Sequence, residues 1–527
     1  MKNFYLLLIL SLYVNGFAQN TVDSKILEVN WGGDSEPDHL TKIGEKLFFS
    51  AQIAAFFNGN GRELWVKDSP ESKARIVKDI SQTGSGIESD SKFINFNGIL
   101  LFTGRSSNGQ SKQLWRSDGT ADGTYLLKII NTNSDTNINN PIIVGNKLFF
   151  STYLNNSSDL WVTDGTTDGT FQVKKINLNG DSEVNNLFIF QDKIYFTAND
   201  GEHGAELWNS DGTENGTAMI MDFFPGIQKG LYRKPVVYKD EIYFVGAQNN
   251  INDGLWKWNS NSNSTTLIKN FPPYYNPFFD AVVANDSLYF LYAGQTQYAN
   301  LWKTDGTVAN TIQISTGENA DSIARQNLRK FKNQIHVIVS KFFGDDAQWF
   351  LDLNDDSMKK VSAIIPSLTD AELVNSTSEN NYLLFRKPSG EYSLTDGTNS
   401  GTNEISGVQI IANYTGYAYN LVDYNQHIFM NAKTPKYGVE LFQYDTVKKK
   451  VELVEDLHHF YGSAALASET LNGKLIYFGK DNNHGLEVFT SDGTEEGTHL
   501  LKDLNLNYSD TIFNGDDPQF FKHNNKL

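Results

Sequence analysis

The sequence predicts an all-β chain, a β-propeller-like array of ten four-stranded repeats forming either one wide ring or two smaller rings. An aromatic landmark recurs about every 47 residues, each interval holds four short strand-like runs, and the composition is that of strands and turns. Among 527 residues there are 35 Phe and 24 Tyr but only 5 Met, and asparagine is heavily used. The hydrophobic fraction of 39% plus 42 Gly is that of a chain able to bury cores.

The first element is an export signal over residues 1–18. Lys2 precedes an apolar run from Phe4 to Val14, and Gly16-Phe17-Ala18 places small residues where a signal peptidase cuts. The run falls short of the ~20 apolar residues of a membrane helix, and no later stretch approaches that length. Zero cysteine excludes a lipid-modified amino terminus, disulfides, thiolate metal sites and a thiol nucleophile. Removing Lys2 takes the net charge from −18 to −19, an acid excess that argues against nucleic acid as a partner. The expected location is secreted or cell-surface, with the periplasm as a third possibility.

The repeat region occupies 19–527. Glu63-Leu64-Trp65, Gln113-Leu114-Trp115, Asp159-Leu160-Trp161, Glu206-Leu207-Trp208, Gly254-Leu255-Trp256 and Asn300-Leu301-Trp302 recur at steps of 50, 46, 47, 48 and 46. The series continues through Trp349, Ser393, Phe442 and Phe489 at steps of 47, 44, 49 and 47, so that seven of nine tryptophans share one repeat position. Such repetition assigns the side chain one packing role in every unit.

Within a unit, a moderately apolar run such as Ser91–Phe96 opens the sheet. A strongly apolar second run follows, as in Lys147-Leu148-Phe149-Phe150 or Lys193-Ile194-Tyr195-Phe196. The Trp-bearing run is third, and a run such as Tyr125–Ile130 is fourth. Helical repeats of this length need a 3.6-residue period, which is absent from the pattern.

Between the third and fourth runs stands Asp-Gly-Thr-x-x-Gly-Thr, opening at Asp118, Asp164, Asp211, Asp396 and Asp492, with Asn310 replacing the second glycine in the copy that opens at Asp305. The chain thereby resembles the ELWxxDGT-repeat proteins, exported chains of Bacteroidetes-type bacteria, over nearly all of its mature length. The resemblance implies export and a propeller-like fold more than any activity. Several such proteins carry a carboxy-terminal domain for type IX secretion, which this sequence does not display.

Chemically the motif reads as a hairpin turn: Asp accepts local amide bonds, the glycines supply positive φ, and Asn310 is the next best residue for a left-handed conformation. A calcium loop is disfavoured because the fifth position varies and no bidentate Glu stands at position twelve. Copies one, five, seven and nine lack the motif, as in Asp445-Thr446-Val447-Lys448, so it is scaffold.

With these turns on one face, the second-to-third and blade-to-blade loops lie on the other, where function is expected. Three blade-to-blade loops are aromatic: Phe223-Phe224-Pro225, Phe271–Phe279, and His458-His459-Phe460-Tyr461. Tyr274, Tyr275, Phe278, Phe460 and Tyr461 are the candidate ligand-binding residues, able to stack on sugars or anchor a peptide; the competing reading is that such rings plug gaps between blades. His458 and His459 point to opposite faces if on a strand, which disfavours a shared ion. His203 and His484 occupy equivalent loop positions.

No nucleophile elbow, His-Glu-x-x-His or phosphate loop occurs, so the sequence assigns no catalytic residue, no metal and no cofactor. It points to a non-enzymatic scaffold that binds an extracellular glycan or protein through its variable loops. The competing class is a polysaccharide-acting hydrolase or lyase whose carboxylates converge from distant blades; a structural surface-layer component is a third. At the end, Asp517–Leu527 resembles the opening of an incomplete eleventh repeat, and Ser24–Val29 a lone fourth strand that could share a closing blade with it. The expectation is a chain cut short, with a sorting domain lost beyond Leu527.

Overall fold

Each repeat places alternating apolar residues on strands too short to stand alone, and the sheets resolve this by stacking face to face. The computed structural model describes residues 35–502 except 54–60, 70–71, 82–83, 107–109, 132–133, 155–156, 232, 248–252, 272–277, 294–297, 315–321, 325–327, 342–343, 378–380, 412–420, 425, 435–437, 456–467, 472–473, 482–484 and 492–498. The chain divides into two units, 32–461 and a second made of 1–31 with 462–527.

The larger unit is a β-propeller of nine antiparallel blades in a ring. Blade 1 comprises β1 (Asp38–Ile43), β2 (Lys46–Ile53), β3 (Gly61–Lys67) and β4 (Ala74–Lys78), paired in that order. Blade 2 comprises β5 (Phe93–Phe96), β6 (Ile99–Gly104), β7 (Gln113–Ser117) and β8 (Tyr125–Lys128). Seven more follow within 139–174, 185–221, 236–271, 278–314, 322–360, 372–405 and 409–455. Blades 6 and 7 are joined edge to edge through Tyr298↔Ala324 and Ala299↔Ile323. The one α-helix among the described residues is the single turn Val361–Ile364.

In the smaller unit, the tenth repeat forms its own four-stranded antiparallel sheet, Ser468–Leu471, Lys474–Asp481, Gly485–Ser491 and His499–Lys502. The ring therefore holds nine of the ten copies. Asp492, Ser24–Val29 and Asp517–Leu527 lie outside the described residues.

The Leu-Trp dipeptide explains the stacking. Neighbours on a strand face opposite ways, so Leu255 packs into the core between blades 5 and 6 while Trp256 packs into that between blades 4 and 5. Leu64 and Trp65, Leu114 and Trp115, Leu160 and Trp161, Leu207 and Trp208, and Leu301 and Trp302 divide in the same way. Across the sheet each of these tryptophans sits opposite a phenylalanine of the second strand, as in Phe49↔Trp65 and Phe290↔Trp302. Those two pairs stack with ring centroids 6.3 Å apart. The last core joins Val422, Phe429 and Leu441 of blade 9 to Leu40, Leu47 and Phe49 of blade 1, which closes the ring.

First strands of neighbouring blades contact one another, so they line the axis and the fourth strands form the rim. The Asp-Gly-Thr turns consequently share one face with the first hairpins, and the blade-to-blade linkers gather on the other, as the sequence predicts.

Five of these turns are described and are built alike. Asp118 Oδ1 accepts the Thr120 N–H at 2.8 Å and its hydroxyl at 2.7 Å, and the Thr120 hydroxyl oxygen accepts the Gly123 N–H at 2.9 Å. Asp164, Asp211, Asp305 and Asp396 repeat the carboxylate bonds, which satisfy it locally and confirm a structural turn. The threonine bonds hold the Asp118, Asp164 and Asp211 carboxyls below their ordinary range. A preceding hydroxyl that sequence reading overlooked, Ser117 here, accepts the Gly119 N–H at 3.0 Å and pairs with Thr124 at 2.7 Å.

The glycines divide their labour. Gly119 has φ +91° as expected, whereas Gly123 is not left-handed; a Cβ on it would overlap the Asp118 carboxylate. The left-handed role expected of Asn310 is therefore corrected: its amide Nδ2 instead donates to Asp305 Oδ2 at 2.6 Å, a bond that pulls the Asp305 carboxyl down to about 2. The turns also clasp the preceding blade. Lys46 Nζ donates to the Asp118 carbonyl at 2.7 Å, and Lys332 Nζ to that of Asp396 at 2.6 Å.

Candidate functional site

Glu63 sits two residues before its tryptophan and holds the linker to the next blade. Its carboxylate accepts the Ile80 N–H at 2.7 Å and the Gly86 N–H at 2.8 Å. Glu206 holds Phe223 and Gly230 at 2.8 and 2.9 Å, and Gln113 accepts the Ile130 N–H at 2.8 Å. Burial pushes the Glu63 and Glu206 carboxyls up to about 8, against the pull of those amides. The linkers are thus fixed, and so are the first-strand openings they feed.

Those openings form a pocket of about 600 Å³ on the linker face, between blades 1, 2 and 3 at the axis. Blade 1 contributes Asp38 and His39, the following linker and β5 contribute Ser89 to Phe93, and the approach to blade 3 contributes Asn137 and Asn139. His39 is left-handed at φ +58°, with its N–H donating to Asp38 Oδ1 at 2.7 Å, and the pairing of β1 with β2 skips there between Asp38 and Thr41. Asn140 (φ +49°) and Asn186 (φ +56°) make the same bulge in blades 3 and 4.

His39 Nδ1 lies 2.9 Å from Ser50 Oγ, its ring stacks on Phe93 at 5.0 Å, and it hydrogen-bonds the Ser89 backbone. Burial above all, then Arg62 and Lys92, push this imidazole below its usual range against the pull of Asp38, leaving it neutral at pH 7. Behind the pocket, Arg62 bonds Glu36 at 3.1 Å and lies close enough to Asp38 for attraction. Buried Lys112 pairs with Asp90 and lies 3.9 Å from Asp135, which Arg105 ties to Glu88 through two 2.7 Å bonds. Asp90 is therefore gripped from behind while its side chain stays 58% exposed at the pocket. These fixed acceptors, the neutral imidazole, two asparagines and one ring can bind and orient a polar ligand of small-molecule size.

Sequence reasoning found the face but not these residues. The signal was a departure inside the repeat: Asp38-His39 and Lys92-Phe93 stand where blades 3 and 4 have Asn139-Asn140 and Asn185-Asn186. Of the aromatic candidates, Phe278 opens the first strand of blade 6 opposite Ala293, and Tyr274, Tyr275, Phe460 and Tyr461 lie outside the described residues, as do His458, His459 and His484. Their neighbours Phe223 and Phe271 are plugs between blades: Phe223 meets Trp256 edge-on at 5.1 Å and Phe271 stacks on Tyr292 at 3.9 Å. His203 is a loop residue held by Asp200 at 2.7 Å.

No protein-family description and no curated protein matches this chain. Among solved structures it is similar to puromycin hydrolase, at 11% identity over 85% of this chain and 61% of that one, with a TM-score of 0.37. It is also similar to Porphyromonas gingivalis dipeptidyl peptidase 4, at 11% over 68% and 60% with a TM-score of 0.39. A third is the propeller domain of the Trilobed protease from Pyrococcus furiosus, at 12% over 61% and 98% with a TM-score of 0.33. The chain thus spans about three-fifths of the length of the first two.

The non-enzymatic expectation is corrected here. All three of these chains bear hydrolase, peptidase or protease names, and the pocket shows how ionisable groups from separate blades meet without leaving a local motif. No residue role or substrate passes to this chain at such identities.

Proposed function

We propose that this chain is an exported propeller that binds an extracellular glycan, and that the three-blade pocket is where the glycan sits. The single observation that carries the reading is the pocket's composition: backed carboxylates, amides and hydroxyls converge on a concavity of about 600 Å³ beside the Phe93 ring. Hydroxyl-rich rings need fixed donors and acceptors around a stacking surface, and the volume falls within the ~300–1,000 Å³ of small-molecule sites. A protein partner is better served by a broad surface with central anchors. Export is supported by Lys2 and the apolar run after it.

The test is glycan-array binding of the purified protein, followed by isothermal titration with the best ligand and its Asp90→Asn and Asn139→Trp variants. Loss of binding in both supports the pocket. Binding that survives both but disappears on Tyr274→Ala and Tyr275→Ala moves the site to the aromatic loop and overturns this placement. Chromatography of the incubated glycan adds the chemistry: shortened products that disappear in Asp90→Asn make the pocket catalytic.

A further inference from the structure

We infer that the glycan is anionic and that Lys92 is the anchor for its acidic group; this rests on the glycan reading above and deepens it. Three charged side chains line the pocket, Asp38, Asp90 and Lys92, and they are not equivalent. Each carboxylate has a cation behind it, Arg62 near Asp38 and the buried Lys112 on Asp90. Lys92 has no such counterpart. Its backbone N–H bonds the Thr103 hydroxyl at 3.1 Å, but among the described residues its ammonium forms no ion pair, although two carboxylates line the same pocket.

Lysines elsewhere in the ring are largely spent on scaffold, as Lys46, Lys147, Lys239 and Lys332 are on the carbonyls of the next blade's turn. In a chain of net charge −18, an unspent cation beside already neutralised carboxylates selects a ligand that brings its own anion. The same carboxylates then face hydroxyl donors. A uronic acid or a sulfated sugar presents both, an anionic group on one side of the ring and hydroxyls on the others. The imidazole of His39, held neutral, adds no repulsion toward Asp90 or attraction that would replace Lys92.

The test titrates the purified full chain with alginate, polygalacturonate, dextran sulfate, neutral dextran and carboxyl-esterified alginate. Binding to an acidic polymer is expected to exceed binding to its neutral or esterified counterpart, to weaken as salt is raised, and to fall about tenfold or more in Lys92→Met. Lys92→Arg should retain it, and an unchanged Tm shows that the variants fold. The uronates against dextran sulfate identify the acidic group. Equal binding of neutral and acidic polymers, or a Lys92→Met protein that binds as well as the parent, overturns the anionic assignment while Asn139→Trp still reports on the pocket. Absence of binding to any glycan overturns both readings together.

Discussion

Ser35 and Glu440 stand 405 positions apart and meet: the Ser35 N–H donates to Glu440 Oε1 at 3.2 Å, and its hydroxyl donates to Oε2. Both residues are fully buried. Glu440 occupies in blade 9 the place of Glu63 and Glu206, and Ser35 stands where their linkers present Gly86 and Gly230. The next residue repeats the likeness, Glu36 N–H to the Val439 carbonyl matching Ile87 to Arg62 and Leu231 to Ala205. The ring therefore closes with the device that holds every consecutive pair of blades, without a peptide bond across the seam.

Glu440→Ala strands a buried N–H and hydroxyl and should destabilise the ring by about 1–3 kcal/mol, read as a lower urea midpoint. Glu440→Gln keeps the acceptor for the N–H and should recover part of the loss. An unchanged midpoint in the alanine variant would remove the seam from this account of closure.

Glu63 and Glu206 make stability depend on pH in an unusual direction. Their folded values of about 8 lie above the ordinary 4.5, so the folded protein binds more protons than the unfolded chain between those limits. Their contribution is full below about pH 4.5 and is lost as pH rises through about 8. Buried His336, lowered to about 4, works oppositely, contributing above its ordinary 6.5 and losing that as pH falls toward 4. Above pH 6.5 the glutamates act alone of these three. Tm should fall from pH 6.5 to 8, and Glu63→Gln with Glu206→Gln should flatten that fall, as blade 2 already uses Gln113 there. A double variant with the parent's slope would count against buried glutamate as its source.

The repeat was legible because each unit solves the same packing problem: Leu255 and Trp256, side by side, must seal two different interfaces, and only a stacked array offers both. The number of blades in the ring was not, since it follows from a small rotation per blade that no motif encodes; nothing around Phe442 or Phe489 announces that the ninth copy meets the first. Asp38, His39, Asp90 and Lys92 were illegible as a site for a related reason. They lie on openings of strands in two blades and the linker between, and only closure about the axis brings them to one pocket.

The turn makes a sharp pair of expectations. In Gly123→Ala the new methyl group takes the space of the Asp118 carboxylate, which must leave its bonds to Thr120. A loss of about 1–2 kcal/mol should follow, measured by denaturant titration. Gly123→Asn is larger yet should cost less, because its amide can bond the displaced carboxylate as Asn310 bonds Asp305. The reverse order would show that the glycine is needed for its backbone rather than for room.

Adjacent residues in blade 5 should fail in opposite directions around the ring. Trp256, paired across the sheet with Phe244 and edge-on to Phe223, belongs to the core shared with blade 4; Leu255 belongs to the core shared with blade 6. Each substitution to alanine empties one core, at about 3–5 kcal/mol for the tryptophan and 2–5 for the leucine. Hydrogen exchange read by mass spectrometry should therefore quicken in blade 4, at Ala205–Ser210, in Trp256→Ala, and in blade 6, at Ser287–Ala293, in Leu255→Ala. Because a closed ring lets a loosened interface open without unfolding the blades beyond it, the two patterns should overlap only in blade 5. Identical patterns in both variants would mean that the ring melts as one body, and that the division of labour within Leu-Trp has no energetic counterpart.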